Sequence, residues 1–324
     1  RTGGVFHQKG GDTMIGKPMD VLKAFPIRKS KQQKQQFRDA VQSYLKTIGY
    51  DSSIEKGSMG ARNIVIGSPE TAKYLVTAHY DTPANMFLPN LVTPCNLVVY
   101  LLYQILVVGL FVAASIGVGI LGALTARNAD FGSAVGMLSY WVMLLMIMVG
   151  PANRNNSNDN TSGVVTLLEI ARSLPESYRN HVCFVLFDLE EAGLVGSSSY
   201  QKAHKKHTGN QLVLNMDCVG DGNEIVMFPT KKLKKDADKR NDLRRICGVW
   251  GEKSIALQDT GFSFYPSDQA NFPYGVGIGA FHRSKWAGLY YSRIHTKKDT
   301  VLEETNVNIL RAAIVSLITC SAVK

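Results

Sequence analysis

The residues of this chain that could do chemistry are acidic and imidazole side chains placed directly after short apolar segments. The clearest segment is Val182–Phe187, an apolar run rich in β-branched and aromatic residues, which is followed by Asp188, Glu190 and Glu191. Such a run is typical of a strand buried on both faces of a parallel sheet. Ligands bind beyond the carboxyl ends of such strands. The segment therefore predicts two neighbouring carboxylates at a functional site, and an exposed acidic turn is the alternative.

Histidine and carboxylate residues recur at the ends of the other predicted strands and in two loops. They are His79 and Asp81 after Tyr74–Ala78, Asp159 before a helix at Val164, Asp217 after Gln211–Met216, and His295 and Asp299 before the last helix. Side chains at strand ends meet at one rim of a sheet, and His and carboxylate ligands without cysteine fit catalytic sites for zinc or a similar divalent ion. Each residue alone has an ordinary alternative, since a lone histidine is usually a hydrogen-bonded core residue and Asp159 could cap the following helix.

Predicted strands and helices alternate along the chain with short connections, which is the pattern of an α/β fold. The predicted strands are Ser53–Glu55, Asn63–Ile66, Tyr74–Ala78, Val182–Phe187, Gln211–Met216, Glu224–Phe228 and Gly275–Phe281. The predicted helices are Lys31–Ile48, with Ser30 as its cap, Val164–Leu174, Ser197–Lys206, Asp236–Trp250 and Asn306–Val323.

A long apolar region interrupts this pattern. No charged residue occurs from Thr82 to Ala126, and a second apolar run follows a short polar turn at Arg127–Asp130. A membrane-spanning helix needs about 20 predominantly apolar residues, and both runs reach that length. We therefore predict a transmembrane helical hairpin at residues 87–150, with helices at about 97–124 and 131–150, inserted into one discontinuous domain of residues 1–86 and 151–324. A buried helical hairpin, or a lid over the pocket, is the alternative.

Charge and cysteine content bear on location and partners. The chain of 324 residues carries a net charge of +10, and the Lys/Arg excess lies outside the hairpin. The positive-inside bias places the polar part of the chain on the cytoplasmic side, and five scattered cysteines without a C-x-x-C pair fit a reducing compartment. The basic residues cluster at Arg28–Lys34 and Lys231–Arg245. Neither cluster has interleaved aromatic residues, so no nucleic-acid partner is expected. A stripe of Ser115, Gly119 and Ala123 suggests a homo-oligomer through the transmembrane helices.

Five short motifs together carry a resemblance to a known family. In chain order they are HYD, NDNTSG, DLEEAGLVGS, NMDCVG and HTKKDT, beginning at residues 79, 158, 188, 215 and 295. Their set resembles the co-catalytic two-zinc aminopeptidases, whose clan also contains the glutaminyl cyclases. The resemblance covers most of the chain outside the hairpin, and it implies a three-layer sandwich with a mixed, mostly parallel central sheet.

The resemblance implies a role for each matching residue. One zinc ion would be bound by His79, Asp159 and Asp217, and the other by Asp159, Glu191 and His295. Glu190 would be the general base and acid, Asp81 would orient His79 as metal-bound histidines require, and Asp299 would act similarly near His295. With a bridging hydroxide, the three carboxylate ligands balance the four charges of two divalent ions, which leaves Glu190 free to transfer protons.

The resemblance also points to a substrate pocket and shows where this chain departs from the family. Ser267 and Asp268 resemble a pocket-lining segment, although Gln269 stands where relatives often carry histidine. Candidate pocket walls are Tyr265, Phe264, Phe272 and Tyr290. Ile294 replaces a tyrosine that some relatives use as an oxyanion donor. About 80 residues, including the hairpin, separate His79 from Asp159, where the family usually has a short loop.

We expect a membrane-anchored metallo-aminopeptidase acting on peptides with a free N-terminus near the bilayer. A glutaminyl-cyclase-like acyltransferase is the first alternative, although such relatives tend to use one zinc ion. A non-catalytic receptor or scaffold on the same fold is the second. Dipeptidase or carboxypeptidase action also stays open, because a fold does not fix a function.

Overall fold

A computed structural model of the protein describes residues 15–321. The predicted domain limits at residues 1 and 324 and the predicted helix end at Val323 lie outside the described residues. The described helices are α1 Val21–Ala24, α2 Lys31–Thr47, α3 Leu97–Ala126, α4 Ala129–Val149, α5 Gly163–Ser173, α6 Val195–Ala203, α7 Lys205–Thr208, α8 Ala237–Arg244 and α9 Glu304–Ser321. The described strands are β1 Ser52–Lys56, β2 Arg62–Ile66, β3 Tyr74–His79, β4 Val182–Phe187, β5 Leu212–Met216, β6 Glu224–Pro229, β7 Gly248–Trp250, β8 Lys253–Leu257, β9 Gly275–Ser284 and β10 Gly288–Tyr290.

The strands form one mixed sheet with a parallel centre. Its order is β1-β2-β4-β3-β5-β9-β6-β8-β7, and β10 pairs with β9. The four central strands, β4, β3, β5 and β9, run parallel to one another, while β2 and β6 flank them antiparallel. The register aligns His79 with Phe187, so β3 and β4 end side by side. The predicted α/β fold with a mixed, mostly parallel sheet is confirmed.

Helices cover both faces of the sheet. Successive side chains of a strand point to opposite faces, and because the central strands are apolar throughout, both faces must be buried. On one face Val76 and Ala78 of β3 belong to the core that includes residues of α2, α5 and α9. On the other face Leu75 and Val185 pack in a second core with Tyr200 of α6. The strands are therefore buried on both sides, as their continuous apolar sequences predicted.

The predicted helix Asp236–Trp250 is wrong in its second half. Helix α8 ends at Arg244, and Gly248–Trp250 is strand β7, antiparallel to β8 at the edge of the sheet. Two glycines with positive φ, Gly248 and Gly251, allow the chain to leave the helical path and turn back there. Pairing with β8, a strand that the sequence analysis missed, outweighs the helical pattern.

The two apolar segments form a pair of antiparallel helices, α3 and α4, close to their predicted limits. By length and composition, both are long and apolar enough to cross a membrane. In the most apolar 18-residue stretch of each helix, only 6% of α3 and 11% of α4 is buried. The small-residue stripe of α3 packs against α4, since a Cβ added at Gly132 would lie 2.5 Å from the Cβ of Ala123. The stripe therefore packs against α4 within the hairpin. It no longer supports the predicted oligomer, because it is not free to contact a second chain.

The segment of residues 83–96, here called the strap, connects β3 to α3 and is hydrogen-bonded to three neighbouring segments, which follow α4, β8 and β10. Ala84 forms an antiparallel bridge with Ala152, and Val92 forms one with Tyr291. The amide of Met86 donates to the carbonyl of His295 at 2.7 Å, and the amide of Phe264 donates to the carbonyl of Pro94 at 2.8 Å. The strap thus fixes the base of the hairpin against the rim of the sheet.

Candidate metal centre

The ends of β3 and β5 and the turn before α5 bring three predicted ligands together. His79 is the last residue of β3, Asp217 follows β5, and Asp159 lies in the irregular turn before α5. The His79 Nε2 atom is 3.3 Å from Asp159 Oδ1 and 3.6 Å from Asp217 Oδ1. All three side chains are buried. They form the first potential metal-binding group.

A second group shares Asp159 with the first. The other carboxylate oxygen of Asp159, Oδ2, is 3.0 Å from Nε2 of His295, which is also 3.6 Å from Glu191 Oε2. The ligand atoms of Asp159, Glu191 and His295 all lie within 4.8 Å of one another. Asp159 therefore faces one histidine with each oxygen, which is the arrangement expected of a carboxylate that bridges two ions.

Asp81 fixes the two glutamates that follow β4. Its Oδ1 accepts a hydrogen bond from the amide of Glu190 at 3.0 Å, and its Oδ2 accepts one from the amide of Glu191 at 3.2 Å. Its contact with His79 Nδ1 is longer, at 3.5 Å. The structure thus places Asp81 next to His79, as predicted, and adds a function in positioning the glutamate turn.

Asp299 lies behind Asp159. Its two oxygens accept hydrogen bonds from the amides of Asn158 and Asp159, at 2.7 Å and 3.1 Å. The side-chain oxygen of Asn158 in turn accepts from the amides of Gly220 and Asp221, which links this turn to the loop that follows Asp217. Asp299 therefore positions the turn that carries Asp159, whereas the sequence analysis assigned it to His295.

Left-handed backbone conformations occur next to several of these ligands. Leu189, Cys218 and His295 have φ values of 57°, 54° and 60°. Leu189 precedes Glu190, and Cys218 follows Asp217. Non-glycine residues in this region cost free energy and cluster at functional sites, so the backbone is shaped here to aim the side chains.

Mutual repulsion and burial dominate the protonation of the ion-free cluster. Burial raises the pKa of both Glu190 and Glu191 well above its ordinary value, and neighbouring carboxylates raise it further. Burial alone would lower the pKa of His79, but Glu190, Asp159 and Asp217 outweigh it, so that this pKa is raised. Such a cluster of buried acids requires compensating positive charge.

The donor set fits divalent cations. Ligands about 2.1 Å from a zinc ion at the corners of a tetrahedron are about 3.4 Å apart, and the four His–carboxylate contacts measure 3.0–3.6 Å. One buried oxygen of Glu191, Oε1, has no hydrogen-bond partner. The set contains only imidazole and carboxylate donors, which is typical of catalytic zinc sites and not of structural ones.

Of the predicted pocket residues, Tyr265 and Asp268 lie near the cluster. Tyr265 donates its hydroxyl hydrogen to the carbonyl of Asp217 at 2.7 Å. Asp268 is fully buried, and neither of its carboxylate oxygens has a hydrogen-bond partner. Burial raises its pKa to about 7, partly offset by the charge of His79. Its negative charge in turn raises the pKa of Glu190, so the two carboxyl groups interact.

Two further predicted pocket residues, Ser267 and Tyr290, have different surroundings. Ser267 is buried and accepts a hydrogen bond from Asn215 at 2.9 Å, so it holds the turn to the sheet. Gln269, in place of the family's histidine, also accepts from Asn215 and donates to the carbonyl of Tyr265 at 2.6 Å. Tyr290 lies against His282, whereas its neighbour Tyr291 packs against Tyr265.

Tyr291, Arg28 and Lys29 are residues near the site that the sequence analysis missed. The fully buried guanidinium of Arg28 donates to the carbonyls of Tyr80 and Phe25 and to the side chain of Thr161. It therefore joins the end of β3 to the turn that carries Asp159. Lys29 donates from Nζ to the carbonyl of Met148, in the last turn of α4. Neither residue belongs to a local motif, so the sequence contained no signal for its position.

Comparisons with known proteins agree with the fold. A glutaminyl cyclase from Porphyromonas gingivalis superposes with a TM-score of 0.57 and 14% identity, over 94% of this chain and 96% of that protein. The LapA aminopeptidase from Legionella pneumophila gives a TM-score of 0.56 and 15% identity, over 94% of this chain and 71% of that one. A Zn-dependent exopeptidase from Parabacteroides distasonis ATCC 8503 gives 0.56 and 16%, over 93% and 94%.

These identities are low enough that the three structures establish a shared fold and no more. No curated protein matches the chain. A family model described as Peptidase family M28 matches residues 149–317, a range that includes Asp159, Glu190, Glu191, Asp217 and His295. Because this match covers slightly more than half of the sequence, the chain belongs to peptidase family M28.

Proposed function

We propose that the protein is a membrane-anchored zinc aminopeptidase with two zinc ions per chain. The observation that carries the proposal is the position of Asp159, whose Oδ1 faces His79 and whose Oδ2 faces His295. One ion would be held by His79, Asp159 and Asp217, and the other by Asp159, Glu191 and His295. When bound, such a pair of ions lowers the pKa of a water molecule and polarises the scissile carbonyl.

Glu190 is the proton carrier in this proposal. Its carboxylate lies within 4.8 Å of ligand atoms of His79 and Glu191, and the three-residue ligand sets are complete without it. Asp81 fixes its backbone. Glu190 accepts the proton of the attacking water and passes it to the nitrogen of the departing amine.

The proposed substrate is a peptide with a free N-terminus. An α-ammonium group would supply the cation and hydrogen-bond donor that the carboxylate of Asp268 lacks in its buried position. Charge-assisted hydrogen bonds of this type are among the stronger ones in proteins. Tyr265 and Tyr291 form an apolar wall beside Asp217. The proposal therefore assigns recognition of the N-terminus to Asp268.

The hairpin is the proposed membrane anchor. Residues 87–150 would contact lipid through α3 and α4, whose apolar side chains are largely exposed. Both ends of the hairpin would lie on the same side of the membrane. The Lys/Arg excess outside the hairpin favours the cytoplasmic side for the peptidase domain. The strap places the anchor next to His295, so peptides near the bilayer surface are the proposed substrates. An oligomer through these helices is a weaker proposal, because their small-residue stripe is already occupied.

The purified full chain in lipid nanodiscs tests the catalytic proposal. Metal content is measured together with hydrolysis of aminoacyl chromogenic substrates, with and without a chelator. Glu190→Gln is expected to keep both ions and to lose about 10²–10⁴-fold in turnover. The exposed control Glu176→Gln is expected to keep both ions and full turnover. Ammonia release from peptides with N-terminal glutamine, without hydrolysis, would favour a cyclase, and hydrolysis that is insensitive to chelator and to Glu190→Gln would refute the proposal.

A further inference from the structure

Three large aromatic side chains are exposed around the base of α3. Trp286 is 89% exposed, Phe262 is 57% exposed and Phe264 is 43% exposed. Phe262 and Phe264 lie in the loop that follows β8, and Trp286 lies in the turn between β9 and β10. These three residues are here called the aromatic platform. They belong to the peptidase domain and not to the hairpin, so membrane crossing by α3 and α4 does not by itself explain them.

Direct contacts join the platform to the first turns of α3. The side chain of Asn96, the N-cap of α3, donates to the carbonyl of Trp286 at 3.1 Å. The ring of Phe264 is 5.7 Å from that of Tyr100 in α3, and its amide donates to the carbonyl of Pro94 in the strap. The platform therefore lies at the level where α3 leaves the domain.

The lengths of the helices place this level in a bilayer. The 21 residues of α4, at about 1.5 Å each, span about 30 Å, which matches a hydrocarbon core. The 30 residues of α3 span about 45 Å, which matches a bilayer including its headgroup regions. The first turns of α3 remain apolar and exposed, with Val98 at 67% and Ile105 at 67%. The base of α3, and the platform beside it, would then lie among the lipid headgroups.

Basic residues lie at the same level, and one of them, Arg283, is paired with Glu224. Lys234 donates from Nζ to the carbonyl of Gly261 and to the hydroxyl of Ser263, on both sides of Phe262. Burial raises the pKa of the Cys95 thiol while the charges of Arg283 and Lys234 lower it, so both cations lie near the start of α3. Lys285 is exposed directly before Trp286. Aromatic rings bordered by Lys and Arg are typical of surfaces that contact anionic lipid headgroups.

We propose that the aromatic platform is a second membrane contact, which inserts Trp286, Phe262 and Phe264 into the headgroup region of an anionic bilayer. The inference rests on the proposed membrane anchoring and adds to it. A hairpin alone would tether the domain at one point, whereas the hairpin and the platform together fix its tilt. The rim that carries His295 then keeps one orientation towards the lipid surface, because the strap joins that rim to the base of α3.

Fluorescence of single-tryptophan variants of the full chain tests this proposal. Trp141→Phe with Trp250→Phe leaves Trp286 alone, and Trp250→Phe with Trp286→Phe leaves Trp141, in the middle of α4, as the reference. Both are measured in nanodiscs of phosphatidylcholine and phosphatidylglycerol that contain lipids brominated near the headgroup or near the chain end. Trp286 is expected to lose most of its emission to bromine near the headgroup and little to bromine near the chain end. Trp141 is expected to show the reverse order.

The reference separates failure of the platform from failure of the anchor. A quenched Trp141 with a Trp286 that no lipid quenches would overturn the platform and leave the anchor standing. An unquenched Trp141 with a quenched Trp286 would refute the spanning hairpin and support the platform, and two unquenched residues would refute both. Lys285→Glu is expected to reduce quenching of Trp286 in nanodiscs that contain phosphatidylglycerol, but not in nanodiscs of phosphatidylcholine alone. The control Lys206→Glu, near the β1 end of the sheet, is expected to leave the quenching unchanged. Equal quenching of Trp286 after either charge reversal would contradict the electrostatic part.

Discussion

The backbone amide of Met86 donates a hydrogen bond to the carbonyl of His295, so the strap that leads into the hairpin is bonded directly to a predicted metal ligand. The bridge between Val92 and Tyr291 continues this pairing along the same segment. The positions of the strap and of the metal cluster are therefore linked through main-chain atoms. The first of the two apolar helices, α3, begins only beyond this region, at Leu97.

The link predicts that two deletions of the hairpin differ in effect. Replacing residues 97–149 by a Gly/Ser linker keeps the strap, so zinc content and hydrolysis of soluble substrates should stay close to those of the full chain. Replacing residues 89–150 also removes the partners of Tyr291 and Ile294, and activity should fall about 10–100-fold, as when the support of a metal ligand is lost. Equal activity of the two variants would show that residues 89–96 of the strap do not help to position His295.

The proposed bridging role of Asp159 predicts different metal stoichiometries for two substitutions. Asp159→Asn should lose both ions, because each ligand set loses a carboxylate, whereas Asp217→Asn should lose one. Metal content after dialysis, measured by mass spectrometry, checks this, and the exposed Asp238→Asn is the control. Two ions retained by Asp159→Asn would be incompatible with the bridge.

Asp81 is expected to act through the residues that it positions. Asp81→Asn replaces one acceptor by an amide that faces the N–H of Glu190 or of Glu191. We expect a fall of about 10–100-fold in kcat or in zinc affinity, with little change in Tm. Activity and zinc titrations measured side by side distinguish the two effects, and unchanged values in both would rule out the positioning function.

Asp268 should affect substrate affinity more than turnover. Asp268→Asn removes the charge proposed to receive the α-ammonium group, and loss of a hydrogen bond to a charged group of about 1.5–3 kcal/mol raises KM about 10–100-fold. Competitive inhibition by product amino acids and by analogues without the amine provides the check. The preference for the amine should disappear in the variant, and a preserved preference would assign recognition to another residue.

Arg28 should contribute to stability as well as to the site. Arg28→Met leaves the carbonyls of Phe25 and Tyr80 and the Thr161 hydroxyl without their donor in a fully buried position. The free energy of unfolding should fall by roughly 3 kcal/mol or more. Denaturant unfolding measures this. Arg28→Lys keeps the charge but not the planar donor group. Its free energy of unfolding should lie between that of the unsubstituted protein and that of Arg28→Met. Equal stability of all three proteins would contradict the assignment.

The metal cluster was predictable because each ligand directly follows an apolar segment or precedes a helix. The run Val182–Phe187 is strand β4 with the predicted limits, and the parallel centre of the sheet brings its end next to that of β3. The surroundings of the cluster were not predictable in the same way. Arg28 reaches Thr161 across 133 positions of sequence, and no local pattern encodes such a contact.

The remaining errors have a physical cause in strand pairing. Tyr290 and Tyr291 are adjacent, and only the alternation of faces around β10 decides which of them contacts Tyr265. At Gly248–Trp250 the local sequence resembles the preceding helix, and the indole of Trp250 even donates to the carbonyl of Ile246. Pairing with β8 is a non-local interaction, which a reading of neighbouring residues does not include.

The bridge between Ala84 and Ala152 means that the two ends of the inserted segment lie side by side. An addition of this kind alters no path through the sheet, because the flanking residues would be neighbours without it. A lineage of soluble enzymes could thus acquire attachment to a bilayer through one internal gene insertion, with neither terminus changed.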